Sequence, residues 1–234
     1  MCAGLRLLPA VTSHPAHRSE PRILAQLNAA LPGGKPNARL EAFCDGVFAI
    51  ALTLLVIEIR LHAPETIQTS AQLWDALWHM APQIFAFILS FIVIFITWVN
   101  HHATLRLVDK SSPAFIYANG FMLLTVAFIP FPTALLGEFI LTDHAAPAVV
   151  LYNGVLVLQA LSWVLLGESA LRGGLTNSDE SAAATRRGRR NGWFAMGLYG
   201  LLAIVAVWLP LAAAIVTTAS WIFWLMLSIR LKHA

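Results

Sequence analysis

The feature that most limits what this chain can become is the recurrence of apolar stretches of about 20 residues, the length that crosses a hydrocarbon core of about 30 Å at about 1.5 Å per residue. They run from about Phe43 to Leu61, Met80 to Asn100, Ala114 to Leu136 and Ala146 to Gly167. Nothing charged then interrupts Asn191 to Ile229, which as one helix would reach about 60 Å. Trp208-Leu209-Pro210 divides that stretch into a fifth and a sixth span, because proline ends a helix most readily. The overall numbers agree: 58% hydrophobic and 12% charged residues, with a mean hydropathy of +0.71. Backbone amides in lipid need internal partners, and no barrel-strand alternation is visible. The expected fold is therefore an all-α integral membrane protein with six transmembrane helices.

Lys and Arg test that count, because cytoplasmic loops are enriched in both. With the N-terminus inside, the inner segments hold Arg6, Arg18, Arg22, Lys35 and Arg39, then Arg106 and Lys110, then Arg172, Arg186, Arg187, Arg189 and Arg190, then Arg230 and Lys232. Only Arg60 of the 15 basic residues falls outside, and an odd number of spans would break the alternation. Both termini are expected to be cytoplasmic, in a multi-pass protein of the cell inner (plasma) membrane. The net charge of +3 largely follows from this bias, so "RRGRR" at 186–190 reads as an inner segment touching anionic lipid and no nucleic-acid partner is expected.

Residues 1–40 contain five prolines and "PGG" at 32–34, which opposes a packed domain and predicts a mobile cytoplasmic tail with one short helix around Arg22 to Leu31. The opening "MCAGLRLLPAV" is too short and too broken for a secretory signal, so the first span must direct insertion. Residues 41–230 form the membrane domain and 231–234 a short inner tail. Cys2 and Cys44 both fall on the reducing side, where no disulfide is expected.

Inside the first span, Ile50, Thr53, Leu54 and Ile57 follow the spacing i, i+3, i+4, i+7 and share one helical face. The rest of that helix is apolar as well, so periodicity alone does not say which face meets lipid. The flanking residues say more. Arg39, three residues, then Phe43-Cys44-Asp45 and an apolar run resemble the first span of the bacterial TMEM175 family of potassium-permeable channels. Trp98-Val-Asn100-His101-His102 at the inner end of the second span is similar to that family's Trp/Asn/His cluster.

This resemblance implies a homotetramer in which the first helix of each subunit lines a central pore. Ile50 would form the narrowest apolar ring, Leu54 and Ile57 further rings toward the outer mouth, and Thr53 the threonine linked to preference for potassium. Potassium and other monovalent cations would be the permeant species, with no cofactor. A ring of branched apolar side chains offers no oxygen ligands, so an ion must pass partly hydrated, and narrowing can empty the ring of water. Modest selectivity and a hydrophobic gate would then share one element.

Asp45 near a span end is costly unless it is hydrogen-bonded, and Trp98, Asn100 and His101 are its candidate donors. Helix initiation near Glu41 would also place it in a first turn, where negative charge is favoured. The sequence departs from the family pattern at Cys44, which stands where a serine is usual and bonds more weakly.

A secondary transporter is the alternative. Such proteins place ionisable groups or broken helices near the midplane. Here the middle offers only neutral polar groups such as Thr53, Ser90, Thr125, Asn153, Gln159 and Ser162, while "IPFP" at 129–132 reads as a kink near the outer interface. Adjacent His101 and His102 point about 100° apart on a helix and are poorly placed to share a metal. No nucleophile elbow, P-loop or CxxC pattern supports an enzyme. "TIQTSAQLWDALWHM" at 66–80 predicts a short outer helix over the mouth, with Leu73, Leu77 and Met80 at helical spacing, and most tryptophans lie near span ends.

Overall fold

The computed structural model describes residues 37–61 and 64–230, all within the unit that begins at Pro36. The expected mobile tail up to residue 36 and the segment 231–234 lie outside the described residues. Helix α1 spans Ala38–Leu54 and tightens into a 3-10 turn over Leu55–Glu58. It begins three residues before the expected Glu41, because the Asn37 carbonyl accepts the Glu41 amide at 2.8 Å and the Asn37 side chain donates to the Val108 carbonyl at 3.3 Å.

Helix α2 covers Ser70–His79, started by a reciprocal cap in which Thr69 accepts from the Gln72 amide and Gln72 from the Thr69 amide. Helix α3 runs over Ala81–Leu105 and α4 over Pro113–Phe128, the latter capped by Ser112 and opened by Pro113. Helix α5, Pro130–Phe139, continues α4 after a break at Ile129. Pro130 has no amide to offer the Val126 carbonyl, and the Ile129 amide takes its place at 3.2 Å in a tighter turn. Helix α6 is Ala145–Arg172, α7 is Asp179–Val205 behind a Ser178 cap, and α8 is Pro210–Arg230.

Four of these units are long and apolar enough to cross a membrane: Ala38–Glu58, Ala81–Leu105, Pro113–Phe139 and Ala145–Arg172. Pro210–Met226 is a shorter apolar helix, and the expected division before Pro210 falls where α7 gives way to α8. Helix α7 differs from the expected fifth span. The inner segment around 179–190, read as a loop, is already helical and carries charge, so only its later part is apolar.

Side-chain pairs give the directions. Asp45 meets Trp98 and the Arg60 amide meets Gln83, so α3 runs antiparallel to α1. His101 with Asn119 and Ser90 with Thr133 do the same for the α4/α5 unit against α3. Helix α6 runs parallel to α3, through Ser90–Tyr152 and Thr97–Gln159. Helices α6 and α7 lie antiparallel in close contact: a Cβ on Gly192 would meet Val164 at 3.0 Å, and one on Gly167 would meet Arg189 at 3.1 Å. Small residues let helix backbones approach in this way. Tyr199 and Ser220 close α8 against α7.

Candidate pore helix and its fastening

One side of α1 is locked into the subunit. Cys44, Phe48, Ala51 and Leu55 recur at helical spacing and are buried against α3, α4 and the α5 end. The opposite side is bare. Ile50 is 59% exposed, Leu54 40% and Ile57 57%, and Thr53 lies among them. The Thr53 hydroxyl donates to the Ile50 carbonyl at 2.8 Å, which leaves its oxygen able to accept. The four expected pore-face residues therefore share a single open face, although the 3-10 turn winds Ile57 more tightly than a continuous α-helix would.

Near its start, α1 forms with α3 two rungs of a polar ladder one turn apart. The Trp98 indole Nε1, one of the three expected donors, donates to Asp45 Oδ1 at 2.8 Å. One turn earlier on α1, Glu41 Oε1 lies 2.9 Å from His102 Nδ1, and His102 Nε2 lies 2.8 Å from Arg106 Nη2. A guanidinium has no acceptor, so in that contact Nε2 accepts and the ring proton sits on Nδ1, close to Glu41 but not aligned for a hydrogen bond. The ladder was readable as paired spacings, since Glu41 and Asp45 are four apart and so are Trp98 and His102 in the opposite direction. Glu41 lies in the first turn of α1, where the helix dipole favours negative charge, whereas the start at Ala38 puts Asp45 beyond the first turn expected for it.

His101 takes a different part. It is buried, with Nε2 at 2.7 Å from Asn119 Oδ1 and its ring 5.4 Å from that of Phe48. Asn119 in turn donates to the Phe115 carbonyl at 2.8 Å, which leaves Oδ1 to accept from the imidazole. His101 thus joins α3 to α4, and the two histidines serve different helices. Among the described residues no group of three or more potential metal ligands is assembled. The Asn100 carbonyl accepts from Thr104 at 2.9 Å. Arg39 and Phe43 do not join the ladder; both are exposed on α1, Phe43 by 64%. Cys44 is fully buried with a free thiol.

The polar groups of the bundle's middle are engaged with each other. Tyr152 Oη lies 3.0 Å from Ser90 Oγ, which lies 2.7 Å from Thr133 Oγ1, linking α6, α3 and α5. Gln159 donates to Thr97 at 2.9 Å and Thr217 to Asn153 at 2.9 Å. Thr125 and Ser162 donate to carbonyls three residues earlier in their own helices. A cavity of about 20 Å³ beside Tyr152 and Asn153 has room for one water and not for a solute. Helix α2 buries none of its residues, and Trp74 and Trp78 are 73% and 80% exposed.

The family described as "Endosomal/lysosomal potassium channel TMEM175" matches residues 39–130, from the start of α1 to the break before α5. Similarity to individual proteins extends further. A potassium channel of Chamaesiphon minutus is 37% identical over 193 residues, covering 79% of this chain and 93% of the relative. One of Streptomyces collinus is 38% identical over 184 residues, covering 76% and 87%. The crystal structure of a lysosomal potassium-selective channel TMEM175 homologue from Chamaesiphon minutus superposes with a TM-score of 0.69 at 34% identity, covering 82% of this chain and 97% of that one. Likeness of this extent in sequence and in fold, running well past the two motifs that suggested it, means that the chain belongs to the TMEM175 family.

Proposed function

We propose that this protein is a potassium-permeable channel that conducts passively through a hydrophobic constriction, with modest preference for potassium over sodium. The observation that carries the reading is the two-sided character of α1: one side is packed into its own subunit, and the other presents Ile50, Thr53, Leu54 and Ile57 uncovered. Four copies with these faces turned to a common axis would make a pore whose rings are apolar and whose only polar side chain on that face is Thr53. Six crossings with both termini inside, in the plasma membrane of a bacterial cell, fit the alternating helix directions and the Lys/Arg bias. Arg39 and Phe43, exposed and outside the ladder among the described residues, are placed to meet a neighbouring copy. Glu41 and Asp45 gather negative charge near the inner mouth, which raises the local concentration of cations. Residues 41–230 act as the channel domain, between a tail before them and a short one after.

A coupled carrier is disfavoured because the middle polar groups are spent on bracing helices, and membership in an ion-channel family leaves no place for an enzyme. The test is an Ile50→Cys channel in liposomes treated with a charged thiol reagent. Buried Cys44 is shielded from the reagent. Potassium flux should stop as position 50 is modified. Full flux after complete modification would remove α1 from the pore wall.

A further inference from the structure

We propose that α7 carries a binding site for one anionic phospholipid, its phosphate held by Arg186, Arg187 and Arg190 and its acyl chain laid along the helix beyond Trp193. The four arginines of this turn are not equivalent. Arg189 faces α6, where it pairs with Glu168, which also holds Arg172. Arg186, Arg187 and Arg190 are exposed on the other side, line an open groove with Trp193, and have no acidic partner among the described residues. Arg190 lies one helical turn from Arg186 and Arg187, where like charges repel weakly, and an anion between the three relieves that repulsion. Arginine forks match phosphate oxygens in bidentate fashion.

The same face continues as Trp193, Phe194, Leu201 and Ile204, exposed by 52, 62, 59 and 60%. The change from charge to apolar surface happens within one turn, at the indole, a side chain that favours the headgroup level. A free phosphate would use only the first half of this surface; a lipid with an anionic head uses both. The bias of basic residues to inner loops requires only their number, not three unpaired guanidiniums on one face above an apolar track. The site stands whether or not α1 lines the pore.

Brominated acyl chains quench nearby indoles, so the protein in phosphatidylcholine liposomes is given brominated phosphatidylglycerol or brominated phosphatidylcholine at equal mole fraction. The expected result is stronger quenching by phosphatidylglycerol, fitting an enrichment of about tenfold, or about 1.4 kcal/mol. That excess should be lost in Trp193→Phe, a mild change that carries the test even if arginine variants lose their orientation. Exchanging Arg186, Arg187 and Arg190 together for Lys keeps the inner charge and should still lower the enrichment, because ammonium groups lack the fork. Equal quenching by the two lipids, an excess that survives Trp193→Phe, or enrichment undiminished in the lysine variant would each overturn the site. Loss of the excess on adding inorganic phosphate would overturn the lipid as its occupant.

Discussion

Helices α1 and α6 are nearly equal in apolar character, with mean hydropathies of 2.1 and 2.0 over their most apolar windows, yet 22% of the first window is buried and 56% of the second. The difference lies in where each helix spends its polar groups. Helix α6 carries Tyr152, Asn153 and Gln159, and each bonds a side chain on another helix. Its small residues face α7 closely. Helix α1 makes its cross-helix contacts near its start, through Glu41 and Asp45, while Thr53 in its middle bonds its own backbone and large branched side chains point outward. Hydropathy reports that a helix prefers lipid to water, whereas cross-helix bonds in its middle report whether it is a hub or a wall.

The sharpest way to break this contrast is at Ile50. Ile50→Asn should raise potassium flux and lower selectivity, because an amide retains water in a constriction; a barrier lower by about 1.4 kcal/mol gives about tenfold. Ile50→Phe should nearly abolish flux in protein that still assembles. Liposome flux with sizing of the assembly reads both, and wild-type flux from both variants would make α1 a lipid-facing wall.

At the hub the expected loss is in stability. Tyr152→Phe removes a hydroxyl from the Ser90–Thr133 chain and should cost about 1–3 kcal/mol, with the potassium/sodium ratio unchanged. Thermal unfolding and reversal potentials separate the two. A shifted ratio with unaltered stability would put α6 in the ion path.

Asp45→Ala should cost about 1–3 kcal/mol as well, by stranding the Trp98 donor, but with lower open probability, since it loosens the wall from α3. Single-channel recordings showing unaltered open probability would make the ladder a plain anchor. The smallest effect is expected from Thr53→Ala, a fall of about twofold in potassium preference, or about 0.4 kcal/mol, with assembly intact. An unchanged ratio would assign Thr53 to its bond with the Ile50 carbonyl alone.

Much of this could be read from the chain before any fold was known. Long apolar runs place the four strongest spans, and Pro210 marks the restart of α8. The charged pair Arg39 and Asp45, with Phe43 between them, marks the start of α1. What could not be read depends on which rotamers meet. Trp98, Asn100 and His101 are equivalent donors in a string of letters, and only packing against Phe48 and Asn119 draws His101 away from Asp45. The charged start of α7 reads as a loop because composition suggests solvent, while the Ser178 cap makes it helix. Exposure of the α1 face is equally illegible, since both sides of that helix are apolar.

The polar ladder has a mechanical consequence when taken with the other end of α1, where Leu55 is buried and the Arg60 amide reaches Gln83 at 3.2 Å. A rod clamped at both ends neither swings nor slides easily past its neighbour. The branched Ile50 side chain adds little freedom, because isoleucine in a helix keeps one χ1 rotamer about 90% of the time. An orifice built from such parts would hold nearly constant geometry while the liquid inside it fluctuates between filled and empty. Switching would then resemble evaporation and condensation in a narrow capillary more than the opening of a door, and a covalent tie between positions 45 and 98 should leave current flowing.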